Sequence, residues 1–86
     1  MRILGTETFV LEGDPAKQAA KVHEEAAELL LAVKGREPVE RVEDEAADVI
    51  QATFNLLDLL DVDYVAVHEA MGRCMERNKA RGRYES

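Results

Sequence analysis

The chain has 86 residues, a formal net charge of −7 at pH 7 and one cysteine, Cys74. So short a chain forms a single domain with a small core, and the negative charge argues against binding to a nucleic acid backbone, which requires clustered lysine and arginine. The single cysteine excludes an internal disulfide and favours a buried thiol in a reducing cytoplasm, and the sequence contains no apparent membrane span or signal peptide. We therefore expect oligomerisation to supply the missing stability.

Residues 1–13 are predicted to form an extended N-terminal arm, which contains the short apolar run Phe9-Val10-Leu11. Residues 14–86 are predicted to form a helical domain. Asp14 followed by Pro15 is a typical helix start, because aspartate caps the first turn and proline fits the first helical position. Helix 1 is predicted over residues 15–34, with Gly35 as its C′ residue.

Two further helices are predicted after the turn at residues 35–38. Helix 2 should run from Pro38 or Val39 to Leu60, and helix 3 should run over residues 64–80 with Asp63 as its cap. Gly82 then begins a short basic and aromatic tail. The predicted fold class is all-α: a three-helix chain with an antiparallel helical hairpin.

The first two helices are apolar on more than one side. On helix 1 the predicted core stripe contains Val22, Ala26, Leu29, Leu30 and Val33, and a second apolar strip contains Ala16, Ala20, Ala27 and Leu31. On helix 2 the predicted core face contains Val42, Ala46, Val49, Ile50, Thr53, Leu56, Leu57 and Leu60. A surface helix needs only one apolar stripe, so two imply burial on both sides. We expect a core of the four-helix-bundle type, completed in a homodimer or homotetramer.

Two pairs of acidic residues lie at the edges of these core faces. Glu25 and Glu28 share a face of helix 1, and Glu45 and Asp48 share a face of helix 2, because residues three apart are neighbours on a helix. If the helices pack antiparallel, four carboxylates converge. Clustered carboxylates are hard oxygen ligands that suit Mg²⁺, with Mn²⁺ as a substitute. The sequence therefore predicts a metal site of the kind that holds a substrate phosphate.

Each of these residues also has a simpler interpretation. A single pair of glutamates is weak support for function, since glutamate is a good helix former and acidic faces are usually solvated. Lys21, four residues before Glu25, is either one half of a helical ion pair worth about 0.3 kcal/mol or a cation that binds phosphate. His23 and His68 are interpreted as solvated surface residues.

Helix 3 carries a predicted core stripe that ends in polar residues. Val67, Met71 and Cys74 form the stripe, and one and two turns further on it reaches Asn78 and Arg81. These last two residues either belong to a frayed helix end or point into a site at the open end of the bundle.

Three segments together resemble the MazG-like all-α nucleotide pyrophosphohydrolases. These segments are Lys-Val-His-Glu-Glu-Ala-Ala-Glu-Leu at residues 21–29, Glu-Ala-Ala-Asp-Val-Ile at residues 45–50, and Arg-Asn-Lys-Ala-Arg-Gly-Arg-Tyr at residues 77–84. The first two match the family signature of E-x-x-E, a spacer and E-x-x-D. The third is similar to the family's C-terminal substrate-binding segment. The resemblance covers residues 15–84.

The resemblance implies a helical bundle assembled by dimerisation, with Mg²⁺ held by Glu25, Glu28, Glu45 and Asp48 as the catalytic centre. It implies hydrolysis of a nucleoside or deoxynucleoside triphosphate between the α- and β-phosphates, which yields the monophosphate and pyrophosphate. It makes Lys21, Asn78, Lys79 and Arg81 candidates for binding the substrate phosphates.

Two alternatives stay open. Residues 21–28 are also similar to phosphoribosyl-ATP pyrophosphohydrolase of histidine synthesis, a protein of comparable size, although residues 78–84 fit it less well. A catalytically silent helical dimer that acts as an interaction module is the alternative from another class. The choice of base and sugar, and the role of the N-terminal arm, do not follow from the sequence.

Overall fold

The structure, a computed structural model, describes residues 1–11 and 13–85; Glu12 of the predicted arm and Ser86 at the end of the predicted domain lie outside the described residues. In chain order the elements are β1 (Arg2–Ile3), β2 (Thr6–Glu7), α1 (Pro15–Lys34), α2 (Val39–Leu59) and α3 (Tyr64–Ala80). The all-α prediction is confirmed, because three helices dominate the fold and their bounds agree with those predicted to within about a residue.

The predicted N-caps of α1 and α3 are also confirmed. The Asp14 carboxylate accepts a hydrogen bond from the Ala16 amide at 2.9 Å, and the Asp63 carboxylate accepts one from the Ala66 amide at 2.9 Å. Each bond satisfies one of the backbone N–H groups that a helix start leaves without an intrahelical partner. The start of α2 has Pro38 at the capping position and no side-chain cap.

All three helices end in the same hydrogen-bond pattern, and one prediction about it is wrong. Gly35 has φ −78°, so it is not the left-handed C′ residue; Arg36 takes that role with φ 53°. The Arg36 and Glu37 amides donate to the carbonyls of Val33 and Ala32, which is the Schellman motif. Non-glycine residues pay a steric cost in this conformation, so the first connection of the hairpin is strained at Arg36.

The hairpin of α1 and α2 provides most of the packing between elements. Its antiparallel register is visible where the Gln18 side-chain amide donates to the carbonyl of Ala52 at 3.0 Å within the buried interface. The buried residues along the interface are Gln18, Glu25 and Ala32 of α1 and Glu45, Ala52 and Asn55 of α2. The line that carries the acids is therefore the line that each helix buries against the other.

This packing corrects the predicted core stripes. Leu30 and Val33 of the predicted α1 stripe are each 55% exposed, and Ile50 of the predicted α2 face is 51% exposed. The helical wheel identified the faces correctly but assigned the wrong one to the hairpin interface. Part of each predicted apolar face, including Val22 and Leu29 of α1, is half-buried, and another part is exposed.

The predicted arm contains a small β-hairpin that lies against α2. Strands β1 and β2 pair antiparallel, and Leu4 and Gly5 at the turn both have positive φ, as the tight hairpin turns of type I′ require. The side chain of Ile3 is fully buried. The Thr8 hydroxyl donates to the Asp58 carboxylate of α2 at 2.6 Å, which anchors the end of the hairpin to the helix.

Helix α3 packs chiefly against β1 rather than against the α1–α2 hairpin. Val67 is buried, as predicted, but Met71 is 52% exposed and Arg81 is exposed, so the predicted stripe is not buried along its length. Helix α3 ends at Ala80 with Arg81 as its C-cap residue, and Gly82 follows in the left-handed conformation with φ 71°.

The protomer is extended for its length. Its Cα radius of gyration is 14.7 Å, whereas a compact chain of this size has a radius of about 12 Å. None of the helices in residues 1–11 and 13–85 combines the length and the apolar character needed to cross a membrane.

Candidate functional site

Three of the four predicted acidic ligands meet inside the helical hairpin. One carboxylate oxygen from each of Glu25, Glu45 and Asp48 lies within 4.8 Å of the other two. The structure thus brings these three carboxylates together between antiparallel helices, with Glu25 and Glu45 buried and Asp48 exposed. Glu25 reaches the cluster from α1, and Glu45 and Asp48 reach it from adjacent turns of α2.

One oxygen of Glu45 lacks a partner within the described residues. The Glu45 side chain is only 4% exposed, and its Oε2 atom is buried without a hydrogen-bond partner in the described part of the chain. A buried carboxylate oxygen without a partner is costly, since a desolvated charge needs a compensating partner. Oxygen ligands from three carboxylates are the donor set that Mg²⁺ and Mn²⁺ prefer, so the residues fit a divalent ion.

Each buried glutamate has a basic side chain four residues before it. Lys21 Nζ lies 3.1 Å from Glu25 Oε1, and Arg41 Nη2 lies 2.7 Å from Glu45 Oε1. The hydrogen bond to Glu25, together with the charges of Glu24 and Glu25, raises the pKa of Lys21. Arg41 was not among the predicted site residues, although its spacing from Glu45 repeats that of Lys21 from Glu25 and signals the same contact.

Glu28, the fourth predicted ligand, is exposed and lies outside the group of three. It is nevertheless electrostatically coupled to that group. The charge of Glu25 raises the pKa of Glu28, and desolvation and the charge of Glu45 raise it further. Glu28 thus lies at the margin of the cluster, where it adds to the accumulated negative charge.

A cavity of about 460 Å³ extends from the acidic cluster along the hairpin. Glu25 and Asp48 contribute to its wall, and so do Gln18, Gln51 and Asn55, none of which was predicted as a site residue. Phe9 and Leu11 of the N-terminal arm close it on another side. The sequence offered Phe9 as one of four aromatic residues that could stack on a base, with Phe54, Tyr64 and Tyr84, but it did not point to the three amides, because glutamine and asparagine on a helix are usually solvated.

A smaller cavity of about 280 Å³ is lined by Glu45 itself, and Arg41, Glu28 and Leu31 are among its other lining residues. The two cavities therefore divide the cluster: Glu25 and Asp48 line the larger one, and Glu45 lines the smaller one beside its ion-pair partner Arg41.

The structure does not bring Asn78, Lys79 or Arg81 to the acidic cluster within one protomer. Among the described residues, none from α3 lines either cavity. Asn78 is half-buried, and its amide contacts Cys74 Sγ at 3.6 Å, while Lys79 and Arg81 are exposed at the end of the helix.

A comparison with models of protein families identifies the family of this chain. The family model described as PRA-PH, phosphoribosyl-ATP pyrophosphohydrolase, matches residues 6–74. The chain belongs to this family. The phosphoribosyl-ATP pyrophosphohydrolase family is part of the MazG-like all-α nucleoside triphosphate pyrophosphohydrolase superfamily, so the predicted resemblance is confirmed. Comparisons with curated proteins and with solved structures find no significant match.

The matched region contains the whole candidate metal site and the wall that Phe9 and Leu11 contribute. It ends at Cys74, before Asn78, Lys79 and Arg81. Members of this family hydrolyse a pyrophosphate bond, and this class of chemistry agrees with a cluster of carboxylates that fits a divalent ion.

Proposed function

We propose that this chain is a Mg²⁺-dependent enzyme that hydrolyses a nucleoside 5′-triphosphate between its α- and β-phosphates, giving the nucleoside monophosphate and pyrophosphate. The observation that carries the proposal is the convergence of one carboxylate oxygen each from Glu25, Glu45 and Asp48 to within 4.8 Å, together with a buried oxygen of Glu45 that has no hydrogen-bond partner in the described residues. The chain's membership of a pyrophosphohydrolase family supports it independently.

In this proposal the three converging carboxylates, with Glu28 at their margin, hold the ion. A divalent ion held there supplies charge neutralisation and activation of water for displacement at phosphorus. Lys21 is already positioned by Glu25 and binds a phosphate oxygen when the substrate arrives. Asn78, Lys79 and Arg81 bind the remaining phosphates, which requires that α3 of a partner protomer supplies them or that α3 moves.

Two observations favour different substrates that share the same triphosphate. The family match over residues 6–74 favours phosphoribosyl-ATP. The basic ending at residues 77–84 lies outside the match and favours a simple nucleoside or deoxynucleoside triphosphate, because it is similar to the substrate-binding segment of the MazG-like enzymes.

We also propose that the active form is a homodimer or a homotetramer. Apolar side chains that a monomer would leave in water include Leu30, Leu31, Val33 and Ile50, all at least half exposed. The large radius of gyration of the protomer supports the same conclusion. Large apolar side chains left exposed in this way are typical of an interaction site.

The test of the proposed activity is substrate profiling with identification of the products. The purified protein is incubated with each of the four dNTPs, the four NTPs and phosphoribosyl-ATP, with and without Mg²⁺ or Mn²⁺. We expect pyrophosphate and a monophosphate from one of these classes only when a divalent ion is present. Release of orthophosphate, or activity that persists in excess chelator, would contradict the proposal.

A catalytically silent helical dimer is the competing interpretation, and a metal titration separates it from the enzyme. The enzyme is expected to bind Mg²⁺ or Mn²⁺ with a stoichiometry of one or two ions per protomer and to lose this binding in Glu45→Gln. A silent dimer would bind no ion specifically and would release no pyrophosphate from any nucleotide.

A further inference from the structure

We propose that Phe9 in the N-terminal arm is the stacking surface for the nucleobase of the substrate. The inference rests on the proposed function and assigns a role to a segment outside the helices that carry the acids. It identifies the larger cavity beside Glu25 and Asp48 as the nucleoside subsite.

The position of Phe9 along the hairpin agrees with this role. The register of the helices places Glu25 next to Glu45 and places Gln18 next to Ala52, so the cavity extends toward the start of α1 and the end of α2. Seven residues separate Glu25 from Gln18 (25 − 18 = 7), which corresponds to about 10 Å of helix. That distance suits a ribose and base that extend from an α-phosphate held at the acids.

The arm is fixed where it passes over α2, so Phe9 has a defined position. Its backbone amide donates to Asn55 Oδ1 at 3.0 Å, and the Gln51 side-chain amide donates both to the same Asn55 oxygen at 2.9 Å and to the carbonyl of Glu7 at 3.0 Å. Asn55 is buried, and Thr8 is tied to Asp58. Two helical amides thus bind the backbone on both sides of Thr8.

The Phe9 side chain is held there without being used as core. Its neighbours Ile3 and Thr8 are buried, but Phe9 remains 48% exposed and borders the cavity. A half-exposed phenylalanine in the wall of a cavity offers an apolar, aromatic surface to a planar ligand in it. Stacking on such a surface accepts every base.

The test compares two ligands that both carry a triphosphate, of which only the first carries a nucleobase. The first is a nucleoside α,β-methylene triphosphate that cannot be cleaved between the α- and β-phosphates, with the base that the wild-type protein binds most tightly. The second is ribose 5-triphosphate, which has no base. Dissociation constants are measured by calorimetry in the presence of Mg²⁺ for wild type, Phe9→Ala, Phe9→Tyr and Val10→Ala.

Phe9→Ala is expected to weaken binding of the nucleotide by about five- to 150-fold, the range for loss of one stacking contact, and to leave ribose 5-triphosphate unaffected. Phe9→Tyr keeps the ring and should restore the wild-type affinity. Val10→Ala is the matched control, because Val10 is exposed in the same arm and does not line the cavity.

Two results would overturn the assignment. Equal weakening of both ligands in Phe9→Ala would show that Phe9 supports the fold of the arm, and unchanged binding of the nucleotide would show that the base lies elsewhere. Failure of the proposed function would be seen in the wild type, as nucleotide binding without release of pyrophosphate. The comparison of the Phe9 variants would still be decisive, because it measures binding and not hydrolysis.

Discussion

In an ordinary helical hairpin the interface between the helices is apolar and the outward faces are polar. In this hairpin the interface between α1 and α2 is largely polar, and the outward faces carry many apolar side chains. Between the helices lie Gln18, Glu25, Glu45 and Asn55, all buried. On the outward faces lie leucine, isoleucine and valine side chains that are half exposed or more, such as Leu31 at 67%. Four of the six residues that the two helices bury are polar, and several of their large apolar residues are exposed.

The polar interface and the apolar outward faces of this pair of helices have different consequences, the first for ligand binding and the second for stability. Burying carboxylates costs free energy unless a partner compensates them, so the inner face is arranged for ligand chemistry at the expense of stability. The outer faces retain the apolar area that a small chain needs for stability, and this area becomes useful only when another surface covers it. The hairpin supplies the site, and an assembly is expected to supply the core.

The largest expected effect comes from changing the inner face. Glu45→Gln keeps the shape of a buried metal ligand but removes its charge, and we expect pyrophosphohydrolase activity to fall by more than about 100-fold, beyond the effect of residues that only support a ligand. The melting temperature of the metal-free protein should hold or rise, because the oxygen without a partner is no longer charged. Activity assays and thermal melts of the purified variant are the measurements.

Two companion variants sharpen this result. Glu43→Gln changes an exposed glutamate on the same helix and should leave activity unchanged.

Glu28→Gln should also abolish activity. Since the folded-state pKa of Glu28 is raised, its ionisation opposes folding, so the variant should be more stable than wild type at pH 7 and this gain should fade as the pH falls toward 4.5. Wild-type turnover in both Glu45→Gln and Glu28→Gln would refute the metal site.

Changing the outer face should act on assembly before it acts on chemistry. Leu31→Glu places a charge on a surface that we expect another protomer to cover, so it should dissociate the oligomer and, given the small core, promote unfolding. Light scattering at micromolar concentration and circular dichroism measure the two effects. A stable wild-type monomer of 9.6 kDa would show that the outward faces need no partner.

Within one protomer, the end of α3 lies at neither the inner nor the outer face of the α1–α2 hairpin. A variant of Arg81 tests whether this end of the helix binds substrate. Arg81→Ala should raise KM or lower kcat by about tenfold or more, since a hydrogen bond to a charged group contributes about 1.5–3 kcal/mol. Its melting temperature should change little, because Arg81 ends the helix and is exposed. Normal steady-state kinetics with a clearly lowered melting temperature would identify Arg81 as a structural cap.

The smallest effect is expected in the connection between the helices. Arg36 has a left-handed conformation that glycine adopts without strain, so Arg36→Gly should stabilise the protein by about 0.5–1 kcal/mol. Arg36→Ala keeps the strain and is the control. Denaturant titration measures both. A gain of the same size in the alanine variant would indicate that the arginine side chain, rather than its backbone, is the source of the cost.

The sequence was sufficient for the bounds of the helices and for the N-caps of α1 and α3, because these depend on local spacing, and it pointed to the three acids that meet between the helices. Asp14-Pro15 and Asp63 defined two starts, and the i, i+3 pairs predicted a cluster that the hairpin forms. The sequence did not reveal which face of α1 is buried against α2. Two apolar faces and a polar one were visible on the helical wheel, and hydrophobicity favoured the wrong choice, because it does not register the stabilisation that a bound ligand would give to buried acids.

The cavity wall was beyond prediction for a different reason. Phe9 and Asn55 are 46 residues apart, and their contact depends on how a two-strand hairpin is tied to a helix. Arg41 was within reach, since its spacing from Glu45 equals that of Lys21 from Glu25. Reading both helices for the same internal pattern would have found it.

The connection at residues 35–38 also sets the phase of α2 relative to α1. Its hydrogen bonds from Arg36 and Glu37 back to Val33 and Ala32 fix the exit direction of the chain, and the bond from Gln18 to Ala52 fixes the register two turns beyond the acids. Surface loops generally tolerate insertions. Here one added residue would rotate α2 by about 100° or shift it by 1.5 Å per residue, and either change would part Glu25 from Glu45 and Asp48. The length of this loop is therefore as much a determinant of the site as the identity of its carboxylates.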